Sequence, residues 1–419
     1  MKAEDQQSST PNNASRLARW RTFKDISLTD RSAPNPNTDP SDLSEPTYAD
    51  ALPDGPAHRR GAGINPANRF ETVRLHVLGE ELDRRATERA EEADHDRPLS
   101  APRAEREIFI DATKSVINRV EPTSDVPFSW TLNPYRGCEH GCVYCFARPY
   151  HEYLGFSSGL DFETKIITKP DAPDLLQREL ANHRWIPEPI VMSAITDIYQ
   201  HVEHEHRIAR ECLEVLAACN QPVSTMTKSA LVLRDTDLWQ RLAHHQAGQV
   251  TVTLVTLDAA LAKSLEPRAG TPAGRLRTVR ELSDAGIPVN VNIAPIIPGL
   301  TDTELPSILE AAADHGAVSA RFVMLRLPYQ VKAIFFDWLA RSVHPDRARK
   351  VESHIRQTHG GTLYDSSRGN RRGSGKFVDQ IHQLFEVHTR RHHLNESRTT
   401  LNGAHFRRPM PPGQLALFQ

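Results

Sequence analysis

From about residue 127, short apolar runs rich in β-branched residues alternate six times with amphipathic segments of helical period. Strands are expected over 128–132, 189–194, 222–227, 250–255, 287–294 and 321–325. Helices are expected near 172–182, 204–218, 234–245, 272–285 and 303–315, with another near 330–342. Each intervening segment is long enough for the right-handed crossover that joins parallel strands. No glycine-rich dinucleotide fingerprint accompanies the six units. The pattern therefore predicts an α/β fold built on a partial (β/α)6 TIM-like barrel rather than a doubly wound sheet. In such a barrel chemistry gathers where strands end and loops begin.

The flanks read differently. Residues 1–60 hold seven prolines among Ser, Asn and Asp. They offer too little apolar surface to offset the entropy of ordering, so a disordered N-terminal extension is expected. Residues 61–126 continue the extension, with an acidic run (Glu88, Glu91, Glu92, Asp94, Asp96) that suits a solvated helix or linker. The barrel is expected over 127–345, then a C-terminal extension over 346–393 with a helix near 377–389, and a flexible basic tail over 394–419. Residues 366–419 carry nine Lys/Arg against three acids, a local +6 on a chain whose total is −2. A uniformly basic nucleic-acid coat is excluded; a local basic face is not. No apolar run reaches about 18 residues, and the N-terminus lacks the apolar core of a signal peptide. A cytoplasmic chain without membrane contact is expected.

Directly after the first expected strand comes Asn133-Pro134-Tyr135-Arg136-Gly137-Cys138-Glu139-His140-Gly141-Cys142-Val143-Tyr144-Cys145-Phe146-Ala147-Arg148. Three of the five cysteines fall within eight residues here, which argues against a disulfide framework and for a metal or cluster site. Three thiolates can converge on one face of a cubic iron–sulfur cluster, with Gly137 and Gly141 letting the backbone wrap closely. Three ligands for four irons leave one iron open to substrate or cofactor. The alternative is a zinc knot, with His140 or His151 as fourth ligand to Cys138, Cys142 and Cys145. Cys212 and Cys219 lie on an amphipathic helix and read as inert buried thiols.

The Cys-x3-Cys-x2-Cys spacing with an aromatic before the last cysteine resembles the radical S-adenosylmethionine (SAM) enzymes. From Gly61 to about Arg390 the chain resembles, more narrowly, the spore photoproduct lyase-related ("DNA repair photolyase-like") group of that superfamily. The carrying motifs are 133–148, Thr196-Asp197-Ile198-Tyr199-Gln200, Thr227-Lys228-Ser229, Arg234-Asp235, Leu257-Asp258, Glu266-Pro267-Arg268-Ala269, Ala294-Pro295-Ile296-Ile297-Pro298-Gly299 and Leu325-Arg326-Leu327-Pro328. The resemblance implies a [4Fe–4S] cluster on Cys138, Cys142 and Cys145, with SAM chelating its open iron. An electron from a one-electron donor then cleaves the sulfonium bond to give methionine and a 5′-deoxyadenosyl radical. It also implies that Tyr144 and Phe146 border the adenine, while Thr196 and Asp197 hold the methionine ammonium or orient its donors. Lys228 is implied for the methionine carboxylate, Thr253 for the methionine or ribose, and the strand end at 293–299 for the adenine face. For Asp197 a cap on the following helix fits the residues equally well. The lyases place a cysteine just before the strand-end Ser-Asp pair to return a hydrogen to product; the aligned residue here is Ala194. Repair of the spore thymine dimer is therefore not implied, and Tyr199 or the Tyr329 region is left as a hydrogen relay. His201, His204 and His206 read as solvated histidines.

The chain ends Gln414-Leu415-Ala416-Leu417-Phe418-Gln419 after a Pro-rich tether. Gln414, Leu415, Leu417 and Phe418 resemble the peptide by which bacterial repair proteins dock on the DNA sliding clamp; a tail strand packing on the protein's own core is the alternative. The leading expectation is a lyase-like radical SAM enzyme acting on damaged DNA. Radical SAM modification of RNA, protein or a small molecule stays open, as does a zinc-stabilised DNA-associated adaptor without catalysis.

Overall fold

The computed structural model describes residues 59–70, 105–121, 127–363, 373–397 and 400–410. The disorder expected over 1–60 falls, but for Arg59 and Arg60, outside those residues, as do the acidic run and the terminal clamp-like peptide.

The described residues form ten strands: β1 (Glu107–Ile110), β2 (Ile117–Arg119), β3 (Trp130–Leu132), β4 (Tyr135–Arg136), β5 (Lys165–Thr168), β6 (Ile190–Met192), β7 (Val223–Thr227), β8 (Gly248–Leu254), β9 (Val289–Ile296) and β10 (Ser319–Met324). Seven make one sheet, in the order β10-β9-β8-β7-β6-β3-β2. From β3 to β10 the neighbours are parallel and follow chain order without reversal. That is the winding of a barrel segment; a doubly wound sheet would reverse at a switch point. All six expected barrel strands are present. β2 adds an antiparallel edge beside β3.

The crossovers include α1 (Ala172–Ala181), α2 (Ile208–Ala218), α3 (Thr236–His244), α4 (Pro272–Asp284) and α5 (Leu305–Asp314). Beyond β10 come α6 (Val331–Ser342), α7 (Pro345–Thr358) and α8 (Lys376–Arg391). Start signals are local: Thr271 accepts from the Gly274 amide at the head of α4, where Pro272 already has the right φ. Among the described residues no helix is long and apolar enough to cross a membrane.

Alternation along the strands sorts the two sheet faces. Val250 pairs with Val289, and Val252 with Val291 two residues along; these four and Val223 are buried in the main core. The opposite face is polar. Met226 lies beside Thr251, Thr251 beside Asn290, Thr253 beside Asn292, and Asn292 beside Arg321. Residues in register on parallel neighbours share a face, so the barrel interior is lined with hydrogen-bonding groups.

Two features depart from expectation. A second, three-stranded sheet, β1-β5-β4, stands beside the barrel entrance. β1 is exposed along its whole length and β4 is two residues long, so neither carries a readable alternation. Helix α7 begins the segment expected to hold only the helix near 377–389. Its buried positions reduce to Val351, Ile355 and Thr358 in an otherwise polar stretch, too thin a stripe to stand out.

Candidate active site at the cysteine loop

The loop 133–148 leaves the carboxyl end of β3 and is tied down on every side. Asn133 Oδ1 accepts from the amides of Ala194 and Ile195, both at 3.1 Å, so the ends of β3 and β6 are joined. The Gly137 carbonyl accepts from Thr196 Oγ1 at 2.6 Å and Gln200 Nε2 at 3.2 Å. The Gln200 side-chain oxygen accepts from the Glu139 amide at 2.8 Å. Gly137 (φ +78°) and Gly141 (φ +68°) occupy left-handed backbone, where a side chain is strained.

Beneath the loop lies a buried ion pair that the sequence did not single out. Arg148 Nε donates to the Cys142 carbonyl at 2.9 Å, Nη1 to the carbonyls of Ser158 and Gly159, and Nη2 to Glu163 Oε1 at 2.6 Å. Glu163 also accepts from the amides of Gly61 (3.0 Å) and Ala62 (2.8 Å). A Cβ on Gly61 would stand 1.7 Å from the Gly141 carbonyl oxygen, so only glycine fits there.

All five cysteines are free. Cys138 and Cys142 are buried and Cys145 half-buried. Burial pushes the Cys138 thiol well up, with Asp197 and the sulfurs of Cys142 and Cys145 adding to it, which puts the three sulfurs in one electrostatic neighbourhood. Burial also pushes the Cys142 thiol up to about 12, against the relief given by Lys228. Three soft donors without a disulfide suit a cluster held through three of its irons. A zinc knot needs a histidine and the thiols to close on one ion. Among the described residues no group of three or more His, Cys, Asp or Glu, the three thiols included, is gathered around a single ion's position, and His140 Nδ1 faces Asp197 Oδ2 at 3.3 Å. Cys212 and Cys219 sit in the core at α2, their thiols raised by burial, Cys219 to about 11.

Around the loop stand the other strand-end residues. Asp197 accepts from Thr227 Oγ1 (2.9 Å) and from the amides of Tyr199 (2.9 Å) and Lys228 (2.8 Å). Burial raises this carboxyl, but His140 and those donors more than offset it and hold it below the usual range. The ends of β6 and β7 are thus clamped together. Tyr144 Oη donates to Glu266 Oε1, and Arg275 Nη2 to Glu266 Oε2. Lys228 Nζ completes the group, 3.9 Å from Glu266 Oε1 and 5.9 Å from the Tyr144 ring centre. Burial works against the Lys228 ammonium, but Cys142 and Glu266 raise it above its ordinary value, so it stays charged. Glu266 and Arg275 carried no sequence signal as site residues; their role depends on Tyr144, far away in the chain.

Thr253 Oγ1 and Asn292 Oδ1, neighbours on the polar sheet face, are buried with no hydrogen-bond partner. Thr196 and Asp197, by contrast, already have protein partners. Phe146 is 58% exposed, unlike buried Tyr144. Tyr199, expected as a hydrogen relay, turns into the core, where its hydroxyl accepts from Trp239 Nε1 at 3.0 Å.

Arg148 opens a 3-10 helix, Arg148–Leu154, whose His151 is buried between Phe156 and Phe162. Burial pushes this imidazole down to about 4 from 6.5. A histidine kept neutral when folded contributes stability that is complete above pH 6.5 and lost as pH falls through about 4. Across that window the stability of wild type relative to His151→Phe, from urea unfolding of the apoprotein, is expected to fall by about 3 kcal/mol. A difference independent of pH would contradict it.

A partial parallel barrel with a three-cysteine loop after its first barrel strand is an α/β barrel with a thiol-rich mouth. The family model described as "Radical SAM superfamily" matches residues 132–312. An uncharacterized protein of Mycobacterium tuberculosis is 35% identical over 246 residues, 58% of this chain and 72% of that protein. An uncharacterized protein of Methanocaldococcus jannaschii is 29% identical over 185 residues, 44% of this chain and 67% of that one. Among solved structures, a spore photoproduct lyase variant superposes with a TM-score of 0.49 at 15% identity, covering 75% of this chain and 92% of that one. The chain belongs to the radical SAM superfamily.

Proposed function

We propose that this radical SAM enzyme holds a [4Fe–4S] cluster on Cys138, Cys142 and Cys145, binds SAM against Lys228, Thr253 and Asn292, and acts on damaged DNA. The bound pair of cofactors supplies one-electron cleavage of the SAM sulfonium bond, with the electron from an external donor. The chain's residues do the positioning. Lys228, kept cationic by Glu266 and the neighbouring thiols, suits the SAM carboxylate. Thr253 and Asn292 suit the hydroxyls of its ribose, since their buried oxygens have no other partner. The observation that carries this reading is a set of three features: three thiols on the loop after β3, a half-buried cation just after β7, and two unpartnered polar oxygens on the neighbouring strands β8 and β9.

Nucleic acid is favoured by the charge of the interior and of the C-terminal segment. Arg321, exposed, lies in the Thr253–Asn292 row, and among the described residues no carboxylate is paired with it. The +6 of residues 366–419 adds to that field.

The test is anaerobic reconstitution and reduction, with 5′-deoxyadenosine measured alone and with ultraviolet-damaged duplex, undamaged duplex, single-stranded DNA or RNA. Formation of 5′-deoxyadenosine, raised by damaged DNA, is the expected result. Stimulation by none of them would move the substrate to a protein or small molecule, and a colourless protein loaded with zinc would end the cluster assignment.

A further inference from the structure

Beside the cysteine loop the structure holds a cavity of about 180 Å³ whose lining does not include Lys228, Thr253 or Asn292. Its walls include Ala147, Phe162 and Ile195, which also pack with Cys138 and Cys145, so it shares a wall with the cluster loop. Drug-sized and cofactor-sized ligands occupy clefts of roughly 300–1,000 Å³. This cavity is too small for SAM or a whole nucleotide and matches a single planar ring.

Three features specify the ring's chemistry. The first is the rim. Tyr150 and Tyr153 lie three residues apart on the 3-10 helix, where side chains at that spacing eclipse, so both rings project from one face. They are 48% and 65% exposed, their centroids 6.3 Å apart, and Phe70 extends the surface 5.0 Å beyond Tyr153. The Arg69 guanidinium stacks between Tyr153 and Tyr329, at 5.5 and 3.9 Å from their ring centres.

The second is a polar atom at the lining. His151 is almost fully buried, and its Nε2 has no hydrogen-bond partner. His151 thus gives the cavity wall an unpartnered ring nitrogen, and a ring with polar atoms on its edge matches such a wall better than a hydrocarbon does. The third is charge. Arg136, at the mouth, is 3.5 Å from Asp111, and Lys169 is 3.7 Å from the same carboxylate. Arg136 and Lys169 thus place two cations beside the opening, sharing Asp111, with Glu179 acting on Lys169.

A planar ring with a hydrogen-bonding edge and an attached anion is a nucleotide. We propose that this cavity receives one base of an unpaired nucleic-acid strand, stacked against Tyr150 and Tyr153 with its edge at His151 and its phosphate near Arg136. A duplex base cannot enter without leaving its stack, so the site selects single-stranded or locally opened DNA. The inference rests on the nucleic-acid reading above and adds where the strand lies.

The test uses the full-length reconstituted protein and fluorescence anisotropy with two labelled probes, a 12-residue oligothymidylate and an abasic chain of equal length. Wild type is expected to bind the oligothymidylate more tightly than the abasic chain. Tyr153→Ala is expected to weaken oligothymidylate binding by about 5- to 100-fold and to leave abasic binding unchanged, while Tyr153→Phe keeps the stack and the affinity. Tyr150→Ala, at a second exposed position, is expected to behave like Tyr153→Ala. If wild type binds the strand and both alanine variants bind it as tightly, the cavity assignment fails alone. If wild type binds neither probe, the nucleic-acid reading fails and takes this inference with it.

Discussion

Replacing any one of Cys138, Cys142 and Cys145 with alanine is expected to strip the reconstituted protein of its iron–sulfur absorption and reduce 5′-deoxyadenosine formation to background. The loop offers three sulfur donors, and a cluster held by two of them is exposed to loss. No other thiol can substitute: Cys212 and Cys219 are packed into the core at α2, where burial keeps them protonated. Cys212→Ala is the control, expected to retain iron and turnover. Iron and sulfide content, the visible spectrum and chromatographic measurement of 5′-deoxyadenosine check the series together. Full iron content and turnover in a Cys142→Ala protein would remove the cluster from this loop.

The second large effect is structural. Arg148→Met is expected to cost about 3–5 kcal/mol of stability, because it leaves Glu163 charged, buried and without its cation. The same change releases the carbonyls of Cys142, Ser158 and Gly159 from their shared donor. The loop then loses its floor, so the variant should also take up less iron at temperatures where it is still folded. Lysine is expected to restore only part of the loss, since one ammonium cannot reproduce a guanidinium fork with four acceptors. Urea unfolding of the apoprotein measures the first effect, and iron content after reconstitution the second. A loss below about 1 kcal/mol would mean that the pair is no more than a surface-grade interaction.

Much of the barrel was legible because its strands bury one face and wet the other. Runs such as Val250-Thr251-Val252-Thr253 and Val289-Asn290-Val291-Asn292 put valines under the helices and polar groups inside, a period of two that survives in the sequence. The small sheet was not legible. β1 exposes every side chain and β4 has two residues, so pairing there is decided by backbone partners in β5. Helix α7 was missed because three buried positions do not make a readable stripe.

The site divides along the same line. Cysteine spacing, local and chemically specific, was enough to place three thiols on one loop after the first barrel strand, and with it the family. Roles that need a distant partner were decided by tertiary structure alone. Glu266 belongs to a motif of the resemblance, but it has no role there until the fold brings Tyr144, Lys228 and Arg275 to it. Gly61 reads as a linker residue until it meets the Gly141 carbonyl beneath the cysteine loop. Thr196 and Asp197 follow the end of β6, and only the fold shows their hydrogen bonds spent on Gly137, Thr227 and Lys228. Sequence carries periodicity and close spacing, because burial and ligation act on neighbours in the chain. Charge pairing and close packing across a hundred residues leave no local pattern, and these set the shape of the site.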